Sequence, residues 1–454
     1  MAAIAKERVL PTLNPDGTRR RLRPTLSRGR WYRARRAVAY ALMLLFLVVP
    51  WLEIGGRPLL RLDITHRQFG FLGRTFLPTD GALLMLLLLA IFIGIVWLTA
   101  LVGRAWCGFG CPQTVYLEFL FRPIERFFER GSGAKSPLRR AAKQLAFAAL
   151  SVLLANVFLS YFVAPKTLLG WLGQSPLEHF TPFLVVAVTS ALVYADFAYF
   201  REQMCTVACP YARLQSALLD ADSLVVGYDA RRGERRGRGK DRTNLGDCID
   251  CGACVATCPT GIDIRDGLQL ECIACAQCVD ACDRIMTRVK KPTGLLRYAS
   301  PGWFETEKPW RLARLRTVIY PAILLAIAVA LFAFSAGAAR AQVTLLRGTG
   351  APFERQGDEI VNQIRLKIEN RGSDSRRYHL ALEGAQGVRL IAPMNPLTVP
   401  GGEQRVTSVF ALARPTQFQN GELDATLRVR DDVDFDLGLP CRLLGPQSPA
   451  GDTR

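Results

Sequence analysis

The sequence predicts a multi-domain membrane protein with five transmembrane α-helices, a cysteine-rich α+β insert before the last of them, and a C-terminal β-sandwich. Three observations predict it. Five apolar runs reach the roughly 20 residues that a bilayer crossing needs. Between the fourth and fifth runs, one tight cysteine spacing occurs twice. Beyond the fifth, the chain turns to short β-rich segments separated by Gly, Asn and Pro.

Composition agrees with this reading. A chain of 454 residues exceeds one ordinary core. Half of its residues are hydrophobic, yet its formal net charge is +19. A soluble globule reconciles these facts poorly, whereas cationic loops beside anionic lipid reconcile them well. The basic residues flank apolar runs rather than exposed aromatics, so no nucleic-acid partner is expected.

The five runs lie at Ala37–Ile54, Ala82–Val102, Leu145–Ala164, Pro182–Phe200 and Thr317–Phe334. The first follows a long basic leader and lacks a small-residue cleavage site, so it reads as a retained span and not a signal peptide. Residues 1–36 carry eleven Lys and Arg against Glu7 and Asp16. The connector Gly103–Lys143 is also basic, with Arg104, Arg122, Arg126, Arg130, Lys135, Arg139, Arg140 and Lys143, while Pro165–Thr181 has Lys166 alone. Positive loops mark the cytoplasmic side. The expected divisions are a basic cytoplasmic N-terminus (1–36), a four-span anchor (37–200), a cytoplasmic segment (201–316), a fifth helix (317–337) and a periplasmic sandwich (338–454). Tyr116–Arg130 mixes aromatics with Arg and Glu and reads as a helix in the membrane interface. Tyr228–Asn244 reads as a flexible basic linker.

The sandwich rests on Ile364–Ile368, Tyr378–Leu382, Val406–Leu412 and Leu423–Val429, which alternate or are β-rich. Cys441 is the one cysteine in this region, which excludes a disulfide within it.

The insert carries the strongest signal. Cys248, Cys251, Cys254 and Cys258 follow C-x2-C-x2-C-x3-C-P, and Cys272, Cys275, Cys278 and Cys282 repeat the spacing. Three thiolates two residues apart wrap three irons of a cubane, and the fourth ligates the neighbouring cluster. Cys248, Cys251, Cys254 and Cys282 are thereby expected to hold one [4Fe–4S] cluster, and Cys272, Cys275, Cys278 and Cys258 the other. This is a bacterial-ferredoxin-like domain at about 240–292. Zinc ribbons use two C-x2-C pairs, and disulfides are disfavoured in a reducing compartment. One departure stands out: Asp283 follows Cys282 where a ferredoxin usually has Pro. Arg242, Arg265 and Arg284 lie near the ligands and favour the reduced state weakly if exposed.

Two further pairs, Cys107–Cys111 and Cys205–Cys209, share C-x3-C-P at the cytoplasmic ends of the second and fourth spans. In a helix this spacing puts both sulfurs on one face, one turn apart. Four such thiols make a soft site for Cu(I), zinc or an extra iron–sulfur centre, or a dithiol–disulfide pair. The plainer reading is that they pack as small hydrophobes. His66 and His179 lie in the outer connectors, where they could share a metal. His379 falls in a strand and is assigned no role.

The strings Arg104–Gln113, Asp196–Ser216, Asp247–Asp283 and Gly294–Pro301 resemble the CcoG/FixG/RdxA family of cytochrome c oxidase accessory proteins. The resemblance runs over nearly the whole chain. It implies an immunoglobulin-like C-terminal sandwich and a multi-pass protein of the bacterial inner membrane. It also implies reduction of Cu(II) to Cu(I) for assembly of a cbb-type oxidase, with copper as substrate. Carried onto this chain, the eight insert cysteines hold the clusters, and Cys107, Cys111, Cys205 and Cys209 are candidates for copper handling or a redox step. The implied partners are that assembly machinery, including copper transporters or chaperones, and an electron donor that the resemblance does not name; a homodimer is compatible. The rival readings are a relay subunit like the membrane quinol dehydrogenases, which share these motifs, and a non-enzymatic assembly scaffold. The sandwich favours the accessory-protein family.

Overall fold

The computed structural model describes residues 11–14, 16, 18–55, 57–64, 68–71, 74–76, 81–129, 136–238, 243–311, 313–337, 341–346, 350–372 and 374–446. The chain divides into two compact units, Met1–Phe332 and Ala333–Arg454.

In the first unit, five helices are long and apolar enough to cross a membrane. They are built on α1 (Arg30–Val48), α2 (Gly81–Val102), α3 (Pro137–Leu159), α4 (Phe180–Ala195) and, later in the chain, α6 (Leu315–Gly337). Leu84, Met85, Leu88, Val188, Leu192, Leu325 and Phe332 on their flanks are exposed, as lipid-facing side chains are. Helices α1 and α3 begin about two turns earlier than the apolar runs do. Their first turns are basic, and most of these charges reach carboxylate partners or the exposed surface, so the helix need not stop where hydropathy falls.

The stretch after α2 differs from expectation. Its residues Leu117–Phe128 are helical, with a π-turn over Leu117–Phe121; Pro123 and Phe127 are exposed, but the opposite face is packed into the anchor. Leu117 and Phe121 are buried with Phe147 of α3 and Phe197 beyond α4, and Phe121 stacks on Phe197 at 4.3 Å. The Arg and Glu residues between them are buried too, because they neutralise one another. Arg201 reaches both oxygens of Glu125 at 3.0 and 2.8 Å, Arg122 pairs with Glu118 and Glu202, and Lys143 lies 2.9 Å from Glu129. Arg21 joins at 2.7 Å from Glu125. The basic leader is thus folded onto the anchor.

The insert is larger than the spacing suggested. Strands β1 (Val225–Tyr228) and β2 (Leu296–Ala299) pair antiparallel and close it, with Val226 opposite Tyr298. Tyr228, expected to open a linker, therefore ends a strand. Arg232 beyond it pairs with Asp247 at 2.6 Å and bonds the carbonyls of Pro292 and Thr293. The insert's second half is built on α5 (Gln277–Arg288).

In the second unit, β3 (Ala341–Leu346), β4 (Glu354–Gln356), β5 (Glu359–Asn370), β7 (Arg389–Ile391) and β9 (Gln404–Ala413) form one sheet in the order β7-β9-β5-β3, with β4 also on β5. The other has the order β8-β6-β10-β11, from β6 (Arg376–Glu383), β8 (Leu397–Val399), β10 (Glu422–Asp431) and β11 (Asp436–Leu444). Alternate residues Leu366, Ile368, Tyr378, Leu380, Val409, Leu427 and Val429 meet in the core between them. Asn362 of β5 crosses to β11, exchanging hydrogen bonds of 2.9 and 2.7 Å with the Leu444 backbone. The four strands read from the sequence fall in β5, β6, β9 and β10. Strand β11 escaped notice because Gly438 and Pro440 break its pattern, and it tolerates them at the sheet edge.

Candidate metal centres

Within the insert, the two cysteine runs fold as local copies. Asp250 and Gly252 in the first, and Ala274 and Ala276 in the second, all adopt positive φ. These are the same offsets from Cys248 and Cys272. A left-handed residue at each turns the chain back on itself; Gly252 and Asp250 adopt that geometry readily, while Ala274 and Ala276 bear it at a cost of about 1–2 kcal/mol each. The loops then lead into short helical segments, Ala253–Ala256 and α5.

The result is two adjoining cavities. One encloses about 370 Å³ of space free of protein atoms, partly open to solvent, between Cys248, Cys251, Cys254 and Cys282. The other, about 350 Å³, lies between Cys258, Cys272, Cys275 and Cys278, with Cys254 at the shared wall. This is the crossed partition that the spacing predicts, in which the fourth cysteine of each run serves the other site. The remaining walls are mostly apolar, from Val226, Ile262, Ile264, Ile273, Ile285, Met286, Leu295 and Leu296, with Arg265 and Tyr228 at the first cavity and Thr260 at the second.

None of the eight cysteines is in a disulfide. Burial pushes the Cys254 thiol up to about 11 and Cys272 and Cys282 to about 12, and raises Cys278 well above its ordinary value. Without metal such thiols stay protonated at neutral pH; coordination must displace those protons. Four sulfurs around each dry cavity, with backbone turned inward at matching positions, fit a [4Fe–4S] cubane at each site.

Asp283 has a structural reason. Helix α5 continues six residues past Cys282 to Arg288, so a proline at 283 would sit in a helix interior. The carboxylate also accepts the Gly294 amide at 2.8 Å, fixing the chain that enters β2. Arg265 is not a free charge, because Asp250 and Asp263 each hold it at 2.6 Å. Arg284 is exposed and bonds the Arg28 carbonyl at 3.5 Å, and Arg242 lies outside the described residues.

The C-x3-C-P pairs also fold as copies, though not as single helices. Cys111 and Cys209 are extended residues that precede Pro112–Tyr116 and Pro210–Ala217, with the proline at the first helical position. Each donates its amide five residues back, Cys111 to Trp106 and Cys209 to Met204, both at 2.8 Å. The structure brings the pairs together. Burial raises the Cys107 and Cys111 thiols and pushes Cys205 up to about 12, and Cys205 also feels Cys111, Cys107 and Cys209. The Cys107 thiol donates to Gln215 at 2.9 Å. Among the described residues no three Cys, His, Asp or Glu side chains converge on one metal ion, so these four form no closed mononuclear site.

This thiol group lies against the second cubane site. A Cβ on Gly108 would stand 2.7 Å from the Ile273 carbonyl, 2.9 Å from that of Ala274 and 2.9 Å from Cys275 Cα. Arg104 donates to the Leu270 carbonyl and acts on both Cys107 and Cys272. Arg35 donates Nε to Gly108 at 2.8 Å and acts on Cys275. The leader adds further contacts. Thr25 donates to Ala256 at 2.9 Å, and the Trp31 and Tyr32 amides donate to Asp280 at 3.2 and 2.7 Å. None of Arg35, Trp31 and Asp280 was marked as functional by sequence. Their roles depend on segments that lie 70 to 250 positions away.

The metal site that His66 and His179 could share lies in part outside the described residues. His179 stacks on Trp171 at 4.4 Å and bonds Gln174 at 2.7 Å, and His66 lies outside the described residues. His379 pairs with Asp432 at 2.8 Å on the sandwich surface.

Comparison with known proteins agrees. A 4Fe-4S dicluster domain matches residues 200–301, a 4Fe-4S binding domain residues 84–131, and the immunoglobulin-like fold at the C-terminus of FixG residues 331–437. RdxA of Cereibacter sphaeroides is 36% identical over 373 residues, covering 76% of this chain and 78% of that protein. RdxB of the same organism is 32% identical over 404 residues, covering 81% and 84%. The nitrogen fixation protein FixG of Rhizobium meliloti is 36% identical over 306 residues, covering 62% of this chain and 57% of FixG. The chain belongs to the FixG/RdxA family and is an iron–sulfur electron-transfer protein of the membrane.

Proposed function

We propose that this protein reduces Cu(II) to Cu(I) and so supplies copper for assembly of a cbb-type cytochrome c oxidase. The observation that carries the reading is the seating of Gly108, next to Cys107, against the loop Ile273–Cys275 of a cubane site, with Cys111, Cys205 and Cys209 gathered near Cys107. Clusters bound at the two insert sites supply one-electron couples, which match a one-electron metal reduction. The four thiols stand where the electron leaves the insert, and thiolate is the ligand that prefers Cu(I) over the harder Cu(II). Two of them suffice for a Cu(I) ion, so the site can take the product without closing around it. Deprotonation of the binding pair releases two protons.

In this reading the leader, the insert and the four thiols face the cytoplasm, and the sandwich lies across the inner membrane. The basic leader and first connector support that orientation. The leader's contacts with Ala256 and Asp280 support a common side for leader and insert. The oxidase's assembly machinery, with its copper transporters or chaperones, receives the copper.

The test is anaerobic. The purified protein is reduced with dithionite, freed of excess reductant, mixed with Cu(II), and followed by EPR and by a Cu(I)-chelating dye. Loss of the reduced-cluster signals with one Cu(I) formed per electron is expected. Serine at positions 107, 111, 205 and 209 should slow this at least tenfold while leaving iron content unchanged. Clusters that stay reduced in the presence of Cu(II) would refute the reading, and quinol would be the next substrate to test.

A further inference from the structure

Burying a guanidinium is costly unless an opposite charge answers it. Two in this structure have no carboxylate partner among the described residues. Arg35 is wholly buried, and its Nη1 and Nη2 have no hydrogen-bond partner. Arg104 is 3% exposed, and its Nε and Nη2 have none. Both guanidiniums stand beside the same cubane site: Arg35 bonds the carbonyl of Gly108, which is packed on Ile273–Cys275, and Arg104 bonds the Leu270 carbonyl and lines one cavity with Cys272. The nearby carboxylate Glu118 is already paired with Arg122.

The other cubane site is different. Its flanking cations are answered by carboxylates: Arg265, which acts on Cys254, is held by both Asp250 and Asp263, and Arg238 pairs with Asp250. Asp283 faces Cys282 from the next position. That environment is neutral to negative, while the first carries two uncompensated positive charges in a buried setting.

We infer that Arg35 and Arg104 are the counter-charges of the cluster held by Cys258, Cys272, Cys275 and Cys278. They hold its reduction potential above that of the cluster held by Cys248, Cys251, Cys254 and Cys282. Each reduction adds one electron and no proton, so the added negative charge is stabilised where unpaired cations stand and not where carboxylates do. One electron leaving the Cys248 site then arrives at the Cys258 site, and the flow is downhill toward the membrane edge. The inference needs the two cubanes but not copper, so it stands or falls apart from the proposed reductase activity.

The experiment is an EPR-monitored redox titration of the full-length protein in detergent, without copper. Two midpoints are expected, and Cys251→Ser identifies the signal of the Cys248 site, since Cys251 is the exposed ligand. Arg35→Gln and Arg104→Gln should each shift the oxidised-to-reduced ratio of the higher-potential cluster about tenfold at fixed potential, which is about 59 mV lower for one electron. The other midpoint should stay where it is, and Arg104→Lys should restore part of the shift. Asp250→Asn removes one of the two carboxylates that answer Arg265 and should raise the lower midpoint. This exposed substitution tests the electrostatic argument even if an arginine variant loads poorly. Midpoints that do not move in variants holding both clusters, or movement of the wrong one, would overturn the inference.

Discussion

Replacing Gly108 with alanine tests whether the thiol loop and the cubane loop act as one piece. The added Cβ would lie 2.7 to 2.9 Å from three backbone atoms of Ile273, Ala274 and Cys275. Backbone cannot rotate away as a side chain can, so one loop must back off by a few tenths of an ångström or more. Overpacking of this kind costs about 1–3 kcal/mol, or roughly 5- to 150-fold in the equilibrium between seated and displaced loops. The Arg35 bond to the Gly108 carbonyl, 2.8 Å long, would be strained with it. Expected results are loss of iron and labile sulfide, and faster alkylation of Cys272 and Cys275 mapped by mass spectrometry. The signal of the Cys248 site should persist. Gly94→Ala is the control, since nothing lies within 4 Å of a Cβ there. A Gly108→Ala protein with wild-type iron content, spectra and alkylation rates would refute the close-packing argument.

Three other perturbations follow from the same contacts. Asp280 accepts the Trp31 and Tyr32 amides, so it caps α1 from another part of the chain, where the helix has no side-chain cap of its own. Asp280→Ala should cost about 1–2 kcal/mol and raise hydrogen exchange across residues 22–34. Unchanged exchange there would count against it. Asp283→Pro, though it restores the common ferredoxin residue, should destabilise by about 3 kcal/mol or more and lower the temperature at which iron absorbance is lost. A rise in that temperature would contradict the helix argument. Burial alone would raise the Glu125 carboxyl, but Arg201, Arg21 and Lys143 outweigh it and hold it at about 2. Its stabilising contribution is complete above the unfolded value near 4.3 and fades only as pH falls toward 2. Glu125→Gln, which strands the buried Arg201, should therefore cost about 3–5 kcal/mol by the same amount at every pH from 5.5 to 8. A melting difference that varies across that range would show that another group titrates.

The cysteine partition was legible because it is local. C-x2-C-x2-C-x3-C dictates which sulfurs can share a cavity, and the cavities follow it. The spans were legible from hydropathy, and four sandwich strands from alternation. What escaped were features decided by distant partners. Phe119 and Phe121 look interfacial beside Arg122 and Glu125, but become core once Arg201 and Lys143 supply counter-charges from elsewhere. Arg104 and Arg35 look like topology markers among many basic residues, and their sequence neighbours say nothing about burial. Arg265 misled in the opposite sense, since the Asp263 and Asp250 that hold it are two and fifteen positions away.

The two cubane loops are near copies in spacing and in left-handed positions, so their backbone alone assigns no direction to electron flow. Direction has to come from what they are docked against. The loop of Cys272 and Cys275 meets Gly108, Arg104 and Arg35, whereas Cys251 of the other run is exposed. Further contacts fix the insert to the anchor. Asp280 ties α5 to α1, and Arg314 at the head of α6 binds Asp220 at 2.7 Å and the end of α2 through the Ala100 carbonyl at 3.0 Å. A symmetric carrier thereby has an inner and an outer site. An electron entering at the exposed Cys251 side crosses the shared Cys254 wall before it reaches the thiols at the membrane edge. If that order holds, an electron donor competes with solvent at Cys251 and not with the anchor. Charge-reversing Arg238, exposed and 2.7 Å from the Asp250 carbonyl, should then change the rate of reduction by a protein donor and its salt dependence. The rate with dithionite, which needs no docking face, should change far less. Equal effects on both donors would place the entry point elsewhere.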